Sequence, residues 1–118
     1  MIGKQKDLKN EIVRGYSFLK EMYEDGYFPN NLVDKGKGIL VNLCFQIEQE
    51  QPKNLDTLYK LTHCATDKFN DLQEEFDEND SEIESVARDC IGTDFDFIAV
   101  SYGFEDADVE ELIATRDW

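Results

Sequence analysis

Hydrophobic positions recur along most of the chain at steps of three and four, the period of a helix buried on one face. Leu8, Ile12, Tyr16, Leu19 and Tyr23 make the first stripe, and Gly26 is placed to end it. After YFP (27–29), with Pro29 at or near its first turn, a second helix is predicted over residues 30–50. Leu32, Val33, Ile39, Leu40, Leu43, Cys44 and Ile47 give it a buried face. Gly36 and Gly38 interrupt that pattern, each costing about 1 kcal/mol against Ala inside a helix. They mark either a close helix crossing or a local break.

The third segment is the most regular. Leu55, Leu58, Thr62, Ala65, Phe69, Leu72 and Phe76 alternate steps of three and four, so residues 54–78 are predicted to form a long central helix opened by NLD (54–56). Thr62 and Ala65 are small and permit another helix to approach closely. Ser81 followed by Glu84 is a capping-box pattern for the next helix, through Ile83, Val86, Ala87, Cys90 and Ile91 to a stop at Gly92. Thr93 can cap another, with Phe95, Ile98, Ala99 and Tyr102 on one face and Gly103 at its end. DFDF (94–97) alternates as a strand would, but no partner strand is evident. Asp108 caps a last short helix bearing Val109, Leu112 and Ile113. The expected fold is an all-α compact bundle of five or six helices in one domain, with residues 1–6 outside the ordered part.

Composition agrees with a packed interior: 118 residues, 41% hydrophobic, with eight Phe, five Tyr and one Trp. The net charge of −15 changes the picture more, because it is unevenly placed. Residues 1–60 hold nine Lys/Arg and nine Asp/Glu, whereas residues 61–118 hold three against eighteen. Such a surface repels nucleic acid and attracts basic proteins, basic peptides or divalent cations, although acidity also serves solubility. No apolar run suits a bilayer span, and MIGKQKDLKNEIV lacks the apolar core of an export signal, so the expected address is the cytoplasm without membrane attachment. Cys44, Cys64 and Cys90 are widely spaced among apolar neighbours and read as reduced, buried thiols. No cofactor is expected.

EEFDENDSEIE (74–84) concentrates the acidity. Carboxylates at predicted helix N-termini (Asp80, Glu82 and Glu84; Asp94 and Asp96; Asp106, Asp108, Glu110 and Glu111) complement unpaired N–H groups and the helix dipole. Asp71, Glu74, Glu75, Asp77 and Glu78 do not, for they occupy the end where the dipole favours cations. Asp71–Glu75 and Glu74–Glu78 are like charges four apart, each pair costing about 0.2–0.5 kcal/mol. These five residues are the candidate docking surface for a basic protein. A calcium loop begun at Asp77, with Asn79 and Ser81, fails twice: Glu82 stands where Gly is needed and Arg88 where a bidentate Glu is needed. No metal site is expected.

The alternative site centres on His63, the one histidine, with Cys64 beside it and Asp67 four residues on. Adjacent helical residues point about 100° apart, so His63 and Cys64 do not face each other. Pairing with Cys44 or Cys90 would need the fold to bring them together, and a His63–Asp67 hydrogen bond is the plainer reading. A di-metal carboxylate site is excluded by Lys60 at the position that would need Glu. GKG (36–38) lacks the spacing of a phosphate loop. Tyr23, Tyr27 and Phe28 are expected to pack at a helix junction, Trp118 to tack the tail onto the bundle, and Arg116 to pair with nearby acids.

The segments YEDGYFPNNLVDKGKGILVNLC, LTHCATDKFNDLQEEFDENDSEIE, ARDCIGTDFDFIA and ELIATRDW, in that order, resemble a family of small acidic bacterial proteins of unknown function. The resemblance covers about residues 20–118 and implies a bacterial, single-domain, cytoplasmic protein. It assigns no activity and no site residue. Gly36 and Gly38 depart from it, since larger residues are expected there. The leading expectation is a non-enzymatic, immunity- or inhibitor-like protein that docks a basic partner. The rival is an enzyme or small-molecule binder with a site between helices, and a homodimer through an apolar face is a third possibility.

Overall fold

The computed structural model describes residues 4–79, 81 and 83–118. Two long helices set the frame, α3 (Asn30–Glu50) and α4 (Leu55–Glu78). They are joined by a short link in which Gln51 adopts a left-handed conformation and Asn54 accepts the Thr57 N–H at 2.9 Å. They run antiparallel, since Lys35 near the start of α3 meets Glu75 near the end of α4. The regular seam of the sequence is the buried face of α4: Leu58, Thr62, Ala65, Phe69, Leu72 and Phe76 are inaccessible, joined by Thr66.

Helix α3 passes through both glycines without a break. At Gly36 a Cβ would lie 3.0 Å from Leu19 Cδ1 and 3.1 Å from Phe69 Cε1, so this glycine marks a close crossing. Gly38 faces open space.

The first predicted stripe is not one helix. α1 (Glu11–Arg14) and α2 (Lys20–Glu24) are separate short pieces, and Leu19 between them has φ 57 and ψ 32. Tertiary packing overrides the periodicity: Val13, Phe18, Leu19 and Met22 are buried, while Ile12, a member of the stripe, is 59% exposed. Asn10 caps α1, its Oδ1 accepting from the Ile12 and Val13 amides. Gln5 and Lys6, placed outside the ordered part by sequence, belong to a 3-10 turn (Gln5–Asp7), and Gln5 Nε2 donates to the carbonyls of Val13 and Tyr16.

α5 (Ser85–Ser101) also corrects the sequence reading. It runs straight through Gly92 and Thr93, where one helix was expected to stop and another to start. Packing supplies the reason: Gly92 is buried on the face of α5 turned to Val109 and Ile113, where a Cβ would lie 3.6 Å from each, and tertiary packing of the helix outweighs the intrinsic cost of Gly. Ser81 is not its cap. Glu84 holds that position with no side-chain capping bond, and Ser81 Oγ donates instead to the Tyr27 carbonyl. Asp80 and Glu82, read as helix-start carboxylates, lie outside the described residues. The end of α5 is as expected: Gly103, at φ +93, sits where the Phe104 amide bonds Ala99 O and its own amide bonds Val100 O.

α6 (Val109–Leu112), capped by Asp108 as predicted, packs on α5 and α4. Trp118 closes the bundle with its ring 6.2 Å from that of Phe69, and Phe28 meets Phe76 at 6.2 Å in the junction between α2 and α3. The six helices share one contiguous core, with no strand among the described residues.

Candidate functional site

The acidic ridge is built by the seam of α4. Because Phe69, Leu72 and Phe76 point into the core, Asp71, Glu74, Asp77 and Glu78 are turned outward and exposed. Glu75 is half-buried and paired with Lys35 of α3. Among the described residues only two other ion pairs exist, Arg14–Glu11 and Arg116–Glu110, so the other four ridge carboxylates have no cation of the chain against them. The last turn of α4 contains no basic residue. Charge and helix dipole therefore add at this end of the molecule rather than cancel.

His63 is directed elsewhere than expected. Its Nε2 lies 2.7 Å from the Glu111 carbonyl, in the last turn of α6 where acceptors outnumber donors, and its ring stacks on Tyr59. No hydrogen bond joins it to Asp67 or to a cysteine among the described residues. Asp67 and Cys64 are exposed, which corrects the reading of Cys64 as buried. Cys44 and Cys90 are buried, and burial pushes their thiols up to about 12 and about 11. High values disfavour the thiolate that a nucleophile requires.

Two polar centres escaped the sequence reading. Asp94, expected at a helix start, is in the middle of α5 and only 3% exposed. Its Oδ1 accepts from the Tyr16 hydroxyl and its Oδ2 from the Leu19 amide, each at 2.7 Å. Burial raises its pKa, and the two donors oppose that rise. The bond to Leu19 holds the left-handed residue that separates α1 from α2. The second centre is Glu48 on α3, which accepts from the Lys9 and Asn10 amides and, at 2.6 Å, from the Tyr102 hydroxyl. Burial pushes its carboxyl up, but these three donors outweigh that and leave it below the usual range. Both centres tie the irregular N-terminal segment to the helices. Nothing in the local sequence distinguishes Asp94 or Glu48 from the many exposed acids, because their partners lie 38 to 78 residues away.

Fold and surface together define an all-α acidic protein with one strongly anionic helix end. The chain belongs to a family of unknown function (DUF5713), whose model matches residues 12–118. No curated protein and no solved structure matches it.

Proposed function

We propose that this protein is a non-enzymatic binding module that docks a basic protein through the ridge of Asp71, Glu74, Glu75, Asp77 and Glu78, in the manner of an immunity or inhibitor protein. One observation carries the reading: four of these carboxylates stand exposed at a helix C-terminus with no ion-pair partner among the described residues. Local helix chemistry works against that arrangement, and a cationic partner would relieve it. Charge steering would make association fast and salt-sensitive.

The test compares wild type with a variant in which all five are changed to their amides, as bait at low salt. A basic protein held by wild type and released by the amide variant, with an association rate that falls as salt rises, is the expected result. Equal capture by both baits would reduce the ridge to a solvated helix end.

A further inference from the structure

The first half of the chain carries a feature of opposite sign. Between α1, α2 and α3 lies a cleft of about 420 Å³ whose lining includes Arg14, Lys20 and Lys37, one cation from each helix. Tyr16 and Tyr23 supply half-buried aromatic walls, with Phe18 behind them. Glu24 is the one acid in the lining. Glu11 touches Arg14 at 3.7 Å on an exposed surface, and Asp34 accepts the Tyr23 hydroxyl. Lys20 and Lys37 make no ion pair among the described residues, although the chain has more than twice as many acids as bases. In a chain so rich in carboxylates, three cations line one aromatic cleft.

We propose that this cleft binds a small phosphate-bearing organic anion, with the phosphate between Lys20, Lys37 and Arg14 and a flat apolar part against the tyrosines. Three cations lining one cleft suit a dianion better than a single carboxylate. The two ammonium groups supply the charge-assisted donors that phosphate oxygens accept, and Arg14, whose guanidinium also donates to the Leu8 carbonyl at 3.2 Å, adds positive charge at the rim. The volume lies within the range of small-molecule sites. The cleft depends on the break in the first helical stripe. One straight helix from Leu8 to Tyr23 would carry Arg14 and Lys20 on a rod, whereas the turn at Leu19, fixed by Asp94, bends the chain around an opening.

The experiment is calorimetric titration of the purified chain with AMP and with pyrophosphate, at constant ionic strength set by sodium chloride. Acetate serves as a monoanion control and adenosine as an uncharged one. Saturable binding of AMP and pyrophosphate, absent for acetate and weaker by at least about tenfold in the Lys20→Ala/Lys37→Ala variant, is expected, since each charge-assisted bond lost is worth about tenfold. The amide variant of the acidic ridge should bind these anions as wild type does, which separates this site from the docking reading. No saturable binding at millimolar concentration overturns the proposal. Equal binding by the lysine variant, with circular dichroism showing it folded, overturns it as well.

Discussion

Asp94 has no cation among its hydrogen-bond partners, yet it is buried in the middle of a helix. Replacing it with Ala leaves the Leu19 amide and the Tyr16 hydroxyl without their acceptor, and a buried unpaired donor costs about 1–3 kcal/mol. Asp94→Ala is therefore expected to lose at least about 2 kcal/mol in urea unfolding, and Asp94→Asn, which retains an acceptor oxygen, much less. The pH dependence carries a definite sign. A carboxyl whose folded pKa is raised contributes stability that is full below its unfolded value and is lost as pH rises through the folded one. The advantage of wild type over Asp94→Asn should thus be larger at pH 4 than at pH 7. A constant difference between those pH values would mean that Asp94 is not perturbed by burial. Glu48 has the opposite sign: its carboxyl is depressed, so its contribution holds at neutral pH and fades as pH falls through the depressed value.

Among the elements, α3 shows how two similar residues come to differ. Gly36 and Gly38 look alike in the sequence, two positions apart on one helix. At Gly36 the side chains of Leu19 and Phe69 fill the space of a side chain, while at Gly38 nothing lies within 4 Å. Gly38→Ala should stabilise the protein by about 0.5–1 kcal/mol, the helix-propensity difference. Gly36→Val should destabilise it by about 1–3 kcal/mol, the range for overpacked cores. Thermal unfolding of the two variants decides the matter, and equal effects would remove the close crossing of α3 by Leu19 and Phe69. The long helix α4 was legible to within a residue because its seam is uninterrupted and Asn54 is a good cap. The first stripe was not, because periodicity over residues 8–23 is equally satisfied by two short helices whose chain is turned by a distant carboxylate. Gly92 misled for a related reason: a glycine stops a helix only where packing does not hold it.

The whole molecule is polarised, neutral overall in its first sixty residues and strongly acidic after them. Self-repulsion among the carboxylates opposes the folded state, and salt screens it over about 10 Å at 0.1 M and about 3 Å at 1 M. Raising sodium chloride from about 20 mM to about 0.5 M should raise stability on the order of 1 kcal/mol, or about 4 °C in Tm. A Tm unchanged across that range would show that the acidic groups are too far apart to oppose folding. No helix among the described residues is long and apolar enough to cross a membrane.

The sequence by itself determined the helical class, the extent of α4, and the caps at Asn54 and Asp108. Each of these follows from neighbours within one or two turns, where periodicity and capping chemistry act. Only the tertiary structure decided that α1 and α2 are separate, that α5 is continuous through Gly92, that His63 turns to Glu111 and that Asp94 and Glu48 are buried anchors. It also decided that Arg14, Lys20 and Lys37 share a cleft. Those outcomes depend on contacts between residues remote in the chain, whose packing and hydrogen bonds outweigh local preference by amounts that no local pattern records.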